Sequence, residues 1–168
     1  MIIIMKVFII SAQTLDGFIA KDKGHSPFDW TSKEDKARFV ELSKRAGVIV
    51  VGASTFKTFS KPLKDRLNIV YSRAETFEGA ETTSLPPTEL IRNLEERGFK
   101  EVAICGGSQI YTMFLEAQVV DTIYLTIEPI LFGSGISIFN KDLNTKLELI
   151  SEEKTESGTL MLEYKVLK

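Results

Sequence analysis

Short apolar runs rich in valine and isoleucine recur along the chain, each separated from the next by a more polar stretch. Continuous apolar runs of this length are typical of strands that are buried on both faces. Such strands belong to mainly parallel sheets that are covered by helices. The predicted strands are Ile2–Ile10, Val48–Gly52, Leu67–Tyr71, Val102–Cys105 and Thr122–Ile127.

Three segments between these runs have helical patterns. Ser32–Ala46 begins with hydroxyl-bearing capping residues, carries acids in its first turn and stops before Gly47. Pro87–Arg97 begins with a proline and stops before a glycine, and Gln109–Ala117 follows a pair of glycines. Since helices cover both sides of a parallel sheet, we expect these three on its two faces.

The C-terminal part of the chain has a different pattern. Polar and apolar residues alternate in Leu147–Thr155 and in Leu160–Leu167, with Glu156-Ser157-Gly158 between them. This alternation predicts an antiparallel hairpin with one face exposed to water. We therefore predict an α/β fold in a single domain over residues 1–168, with a mainly parallel central sheet, helices on both faces and a C-terminal antiparallel hairpin.

Composition excludes several classes of function. Of the 168 residues 26% are charged, the formal net charge is -2, and lysines and arginines form no basic stripe. These features argue against nucleic acid as the main ligand. The longest apolar run is too short to span a bilayer and lacks the marks of a signal peptide, and the single cysteine, Cys105, implies no disulfide. We expect a cytoplasmic protein that makes no membrane contact.

Sheets of this kind bind ligands beyond the carboxyl ends of their strands. The segment Leu15–Trp30 follows the first strand and has the length, glycines and mixed polarity of a mobile lid or of a surface loop. Gly52–Phe56 offers backbone N–H groups and hydroxyls to a phosphate, or forms a plain turn. Ser72 and Arg73 suit a phosphate monoester or a solvated surface, and the adjacent glycines of Cys105–Gln109 permit close approach of a ligand or make a tight turn.

Asp35 has two interpretations. Ser32-x-x-Asp35 fits a capping box, and Thr31-x-x-Glu34 fits the same box one residue earlier. Two acids for one cap leave one of them free, although spacing alone favours a capping role for either. No cluster of His, Cys or carboxylates has metal-ligand spacing, and the only histidine, His25, lies in a polar loop, so we expect no metal site and no catalytic triad.

The order of these motifs resembles the dihydrofolate reductase family from about Val7 to Phe139. Agreement of several motifs in chain order is much harder to obtain by chance than agreement of one. The resemblance implies the three-layer fold of that family, a cis peptide between its paired glycines, and the NADPH-dependent reduction of dihydrofolate. The matching motifs are Trp30-x4-Asp35 with Phe39 one turn further on, Gly52-x-x-Thr55-Phe56, Pro62-Leu63-x-x-Arg66-x-Asn68-Ile69-Val70, Gly106-Gly107-x-x-Ile110-Tyr111 and Tyr124-Leu125-Thr126.

The resemblance also implies roles for individual residues. Asp35 would anchor the pterin ring through charge-assisted hydrogen bonds, Thr126 would orient Asp35, and Trp30 would complete the catalytic group. Arg66 would grip the glutamate carboxylate of the substrate. The other substrate-binding residues would be Phe39, Phe59 and Leu63. The cofactor-binding residues for NADPH would be Ala12, Ile19, Gly52, Ser54, Thr55, Ser72, Arg73, Gly106, Gly107, Ser108, Gln109, Ile110 and Tyr111.

Some residues point to alternatives. The stretch from Pro129 to Phe139 and Leu15-Asp16-Gly17 are similar to the related pyrimidine reductases of riboflavin synthesis, which reduce a ribosylamino-pyrimidine phosphate with the same cofactor. A nucleotide-binding protein without turnover on the same fold is a further alternative. Ala53 stands where many family members have an arginine for the cofactor 2′-phosphate, and Arg73 could replace that arginine. The apolar C-terminal region and the Phe132–Phe139 segment could form a dimer interface, which makes a homodimer an open possibility.

Overall fold

The computed structural model describes residues 4–168, in which the helices lie between strands and four strands in succession form the last elements. A short 3-10 turn at Pro27–Asp29 precedes the first helix. The elements in chain order are β1 Lys6–Thr14, β2 Phe18–Ala20, α1 Lys33–Ala46, β3 Val48–Gly52, α2 Ala53–Phe56, β4 Leu67–Tyr71, β5 Glu81–Thr83, α3 Pro87–Glu96, β6 Glu101–Ile104, α4 Ser108–Glu116, β7 Thr122–Glu128, β8 Ile136–Ser137, β9 Lys146–Lys154 and β10 Leu160–Leu167.

Eight of these strands form one sheet in the spatial order β5-β4-β3-β6-β1-β7-β10-β9. Neighbours from β5 to β7 are parallel, whereas the pairings of β7 with β10 and of β10 with β9 are antiparallel. The strands β2 and β8 form a separate antiparallel pair. This topology confirms the predicted α/β fold with a mainly parallel sheet and a C-terminal hairpin.

Apolar side chains bury the sheet on both faces. Leu90 and Ile91 of α3 and Phe114 of α4 belong to one core cluster, and Leu42 of α1 and Phe56 of α2 belong to the other. Burial of each such side chain stabilises the fold by about 1.5–3 kcal/mol relative to exposure. The predicted helices on both faces of the sheet are therefore present.

The main helix boundaries follow their capping residues. The Ser32 hydroxyl accepts a hydrogen bond from the Asp35 amide at the start of α1. At its end Gly47 has a φ of +76° and donates from its amide to the Ser43 carbonyl. A residue with a left-handed backbone in this position is normally glycine, because glycine has no Cβ that would clash with the backbone. Pro87 opens α3, where its missing N–H removes no helical bond.

The hairpin departs from the predicted pattern. Every residue of β9 is exposed, so this edge strand has no face packed on the core, contrary to the expectation of one buried face. Its sequence alternates, but no helix covers either side of the sheet at this edge within the described residues. The predicted first strand, Ile2–Ile10, starts at Lys6 and continues to Thr14, and residues 1–3 lie outside the described part.

Candidate active site

A cavity of about 1320 Å³ opens at the carboxyl ends of the parallel strands. This is the edge of the sheet where α/β folds bind ligands. The size exceeds what a drug-sized ligand needs, so a cofactor and a substrate can share it. Residues from most of the predicted segments line this cavity, among them Ala12, Asp35, Phe39, Gly52, Arg73, Gly107 and Tyr111.

Asp35 is a buried carboxyl in the cavity wall, with 8% of its surface exposed. Burial is the main cause that raises its pKa above the ordinary 3.8, and the negative charge of Glu128 acts in the same direction. The neighbouring Thr126 hydroxyl and the cations Arg38 and Lys36 act in the opposite direction. A buried carboxyl with a raised pKa in a cleft is typical of a group that exchanges or shares a proton with a ligand.

The capping arrangement explains why this side chain is free. Ser32 caps α1 through its hydroxyl, as the sequence indicates, but its own amide donates to Glu128 at 3.1 Å rather than to Asp35. The reciprocal half of the capping box is therefore made by a residue of β7. Thr31 forms no such box, because its hydroxyl donates to the Pro27 carbonyl at 2.8 Å.

Thr126 lies beside Asp35, whereas Trp30 packs against another aromatic ring, and neither residue lines the cavity. The Trp30 ring packs edge-on against Phe132, with ring centroids 5.1 Å apart. Its indole Nε1 is buried and has no hydrogen-bond partner within residues 4–168. Buried indole N–H groups usually find a partner, which can be an ordered water or a ligand.

Three phenylalanines form an aromatic wall of the cavity. Phe28 lies 6.1 Å from Phe39 and 5.7 Å from Phe59, measured between ring centroids, and all three line the cavity. Two other expected substrate contacts lie elsewhere. Leu63 packs behind this wall in the core, and Arg66 donates to the Ser43 hydroxyl and the Lys64 carbonyl, each at 2.8 Å.

The residues expected to bind the cofactor all line this cavity. Gly106 and Gly107 are joined by a cis peptide, as the resemblance implies. A Cβ on Gly107 would lie 3.1 Å from the Thr55 hydroxyl, and one on Gly52 would lie 3.2 Å from the Ile110 side chain, so both glycines keep this wall open. The Ser108 hydroxyl is buried there without a hydrogen-bond partner among the described residues.

The segment Leu15–Trp30 lines the cavity but is attached to a neighbouring loop. Phe18 and Ala20 pair with Ser137 and Ile136 in the small sheet of β2 and β8. Asp16 accepts from the Thr14 hydroxyl at 2.6 Å, from the Phe132 amide at 3.2 Å and from the Gly133 amide at 2.7 Å. The Thr14 bond is the largest cause that lowers the pKa of Asp16.

Sequence reasoning missed several residues that line or support the cavity. Phe28 and Lys36 line the cavity, as does His25, whose Nδ1 accepts from the Lys21 amide at 3.1 Å. Glu128 ends a buried strand with an acid, a signal that sequence reasoning could have used. Its partner Ser32 is 96 residues away, so the contact itself has no local signature.

Comparison with known proteins agrees with this geometry. The dihydrofolate reductase family profile matches residues 6–161. The dihydrofolate reductase of Haemophilus influenzae is 32% identical over 122 residues, covering 73% of this chain and 71% of that protein.

Two solved structures share the fold. A candidate riboflavin biosynthesis protein from Shewanella sp. PV-4 has a TM-score of 0.83 at 22% identity, covering 98% of this chain and 100% of that one. A pyrimidine reductase-like protein from Corynebacterium diphtheriae has a TM-score of 0.81 at 19% identity, covering 98% and 92%.

The fold and the cavity define an α/β protein with a ligand site at the carboxyl edge of a parallel sheet. The chain belongs to the dihydrofolate reductase family, and the reductases among its relatives support an oxidoreductase. No helix in residues 4–168 has the length and hydropathy needed to cross a membrane.

Proposed function

We propose that this protein reduces 7,8-dihydrofolate to 5,6,7,8-tetrahydrofolate with NADPH. In this reaction C6 of the substrate gains a hydride and N5 gains a proton, so the double bond between them becomes single. The observation that carries the proposal is the buried carboxyl of Asp35 in the wall of a large cavity. A pterin presents a ring N–H and an exocyclic amine side by side, and one carboxylate can accept from both.

Asp35 anchors the pterin and favours its protonated form. Its raised pKa places the carboxyl closer to the proton affinity of a ring nitrogen than an exposed aspartate would be. The Thr126 hydroxyl beside it fixes the direction of the carboxyl oxygens. Since the start of α1 is capped and rigid, the bound ring is held in one orientation, which is the main source of rate in reactions between two bound molecules.

The nucleotide side of the cavity suits NADPH, which supplies the hydride when bound. The orphaned Ser108 hydroxyl can bond a phosphate oxygen, and the backbone at Gly52 and Gly107 leaves room for close approach of the cofactor. Arg73 lines the same side and is exposed, so it can reach a 2′-phosphate. An arginine there favours NADPH over NADH.

The aromatic wall of Phe28, Phe39 and Phe59 suits the benzoyl group of a folate. Flat apolar rings pack against such a wall edge-on or offset. Arg66, in contrast, has its guanidinium committed to Ser43 and Lys64. Binding of the substrate glutamate by this arginine would need these two hydrogen bonds to rearrange.

The second candidate is the reduction of a ribosylamino-pyrimidine phosphate. Lys36 favours it, because a half-buried lysine beside Asp35 places a cation in the substrate part of the cavity. The solved structures with the same fold include a pyrimidine reductase-like protein. The non-enzymatic alternative is a nucleotide-binding protein that keeps the cofactor side of the cavity and has no turnover.

The deciding experiment follows NADPH oxidation at ~340 nm with purified protein and dihydrofolate. We expect turnover that falls by about a hundredfold or more in Asp35→Asn, while Asp22→Asn, an exposed carboxylate at the cavity rim, keeps the wild-type rate. Wild-type activity in Asp35→Asn would refute the role of Asp35. Turnover only with the phosphorylated pyrimidine would establish the second candidate, and cofactor binding without any turnover would establish the third.

We also propose a homodimer that forms along β9, in the cytoplasm. Leu147, Leu149 and Ile150 are exposed on this edge strand. An exposed apolar edge is a template for pairing with another strand, and a second copy of the same chain offers an identical edge.

A further inference from the structure

Glu128, the last residue of β7, is a buried acid that takes no direct part in lining the cavity. Only 4% of its surface is exposed. Its Oε1 accepts from the Ser32 hydroxyl at 2.8 Å, and its Oε2 accepts from the Ser32 amide at 3.1 Å and from the Thr159 hydroxyl at 3.3 Å. Both carboxylate oxygens are therefore used, two of the three bonds going to one residue.

Ser32 links this acid to Asp35. The same Ser32 hydroxyl that donates to Glu128 accepts from the Asp35 amide at 3.2 Å. With its proton directed at Glu128, the hydroxyl oxygen has its lone pairs free for the helix. The orientation of the cap, and with it the first turn that carries Asp35, is thus set by a residue of the sheet.

Glu128 also acts on Asp35 through its charge. The charged and titratable groups around Asp35 are Lys36 and Arg38 on α1, Glu128 on β7 and Tyr111 on α4. The two cations lower the pKa of Asp35, and Glu128 raises it. Among these groups Glu128 is the one carboxylate, so it is the neighbour that favours an additional proton at this site.

We propose that Glu128 is a positioning residue for the reaction, which holds Asp35 in place through Ser32 and through its charge favours one additional proton shared between the Asp35 carboxyl and its bound ring. The inference rests on the function proposed above, in which Asp35 shares a proton with the substrate. A glutamine would not replace Glu128, because its amide keeps one accepting oxygen where the structure uses two.

The test compares Glu128→Gln with Glu34→Gln. Glu34 is a matched control, since it lies in the first turn of the same helix and, within the described residues, accepts only from the Ser157 hydroxyl at 3.4 Å. The first measurement is the titration of the Asp35 carboxyl by ¹³C NMR in the ligand-free protein, with the signal assigned through Asp35→Asn. We expect a lower titration midpoint in Glu128→Gln and the wild-type midpoint in Glu34→Gln. An unchanged midpoint in Glu128→Gln would overturn the proposal.

The second measurement is the pH profile of kcat/KM with dihydrofolate. We expect the alkaline fall in rate to move to lower pH in Glu128→Gln, because Asp35 and the bound ring titrate as a coupled pair. A purely structural role would lower the rate equally at all pH values and would overturn the proposal. If the wild-type protein does not reduce dihydrofolate, the proposed function fails, while the NMR titration still decides the coupling of Glu128 to Asp35.

A third measurement needs only the wild-type protein and Asp35→Asn, and so stays decisive if Glu128→Gln does not fold. The ¹³C signal of the Glu128 carboxyl should show an inflection at the pH where Asp35 titrates. That inflection should be absent in Asp35→Asn. A Glu128 signal that does not respond to the titration of Asp35 would refute the coupling.

Discussion

The Tyr111 hydroxyl donates a 2.7 Å hydrogen bond to the Ile10 carbonyl, which joins α4 to β1 at the wall of the cavity. Tyr111 is buried, and burial raises the pKa of its phenol. The bond therefore has no competition from bulk water. It ties the helix that follows the paired glycines to the strand that begins the fold.

Replacement of Tyr111 by phenylalanine should lower the free energy of unfolding by about 1–3 kcal/mol, because the buried carbonyl of Ile10 loses a donor. For a domain of this size that corresponds to a Tm lower by roughly 2–10 °C. Thermal and urea unfolding measure the change. Tyr164→Phe is the control, since no hydrogen bond of its hydroxyl is found in residues 4–168, and an equal loss in both variants would contradict the argument.

The stability of Asp35→Asn should depend on pH. Since the pKa of Asp35 is raised above 3.8 in the folded protein, the folded state holds this proton more tightly than the unfolded chain does. The contribution of Asp35 to stability is thus fully present below pH 3.8 and is lost as the pH rises through the folded pKa. In urea unfolding at several pH values, the free energy of unfolding of Asp35→Asn relative to that of wild type should increase as the pH rises. An increase found only at acid pH would contradict this prediction.

Asp16→Asn should loosen the contact between the two loops that flank the small sheet. The asparagine retains one accepting oxygen, whereas Asp16 uses both, for the amides of Phe132 and Gly133 and the hydroxyl of Thr14. Hydrogen exchange of the two amides should be faster in this variant. The Asp22 carboxylate accepts only from the nearby Gly24 amide among residues 4–168, so in Asp22→Asn exchange at these positions should stay at the wild-type rate. Unchanged protection in Asp16→Asn would show that the β2–β8 pairing alone holds the loops.

Gly107→Ala should weaken NADPH binding by about tenfold, which is about 1.4 kcal/mol. The new methyl group would lie 3.1 Å from the Thr55 hydroxyl and narrow the cofactor side of the cavity. Titration of the protein with NADPH by fluorescence measures the affinity. The control is Gly24→Ala, where a Cβ meets Asp22 at an ordinary 3.5 Å, and equal affinities in the two variants would argue against a cofactor at Gly107.

Leu149→Lys should shift the protein from dimer to monomer. Leu149 is exposed on β9, and a lysine on an edge strand blocks pairing with another edge. Size-exclusion chromatography with light scattering gives the mass of each species. Val40→Lys is the control, because Val40 is a similarly exposed apolar residue on α1. A wild-type protein that is monomeric at all concentrations tested would refute the proposed dimer.

Much of the fold follows from local sequence signals. The apolar runs of β3 and β4 and the extent of β10 match their predictions residue for residue, because turn residues and caps bound them closely. The strands β2, β5 and β8 are only two or three residues long, too short for any periodicity to show. The exposure of β9 depends on what covers the sheet, which an alternating pattern does not encode.

The candidate site is less accessible to such reasoning. Ser32 and Asp35 carry the pattern of a helix cap, and they do form one, so spacing alone could not separate cap from site. What frees the Asp35 side chain is Glu128, which is 96 residues away from Ser32 along the chain. Arg66 shows the opposite case, since a motif of the chain predicts it as a substrate contact but its guanidinium donates to Ser43 and does not line the cavity.

The pairing of β2 with β8 constrains how this scaffold can be re-engineered. Phe18–Ala20 and Ile136–Ser137 share backbone hydrogen bonds, and Gly135 leaves no room for a Cβ beside the Ala20 carbonyl. A loop taken from a relative to replace residues 15–30 would therefore lack the strand with which it pairs in that relative. Loop exchanges intended to change substrate preference should therefore replace residues 129–139 at the same time, so that the two paired loops come from the same protein.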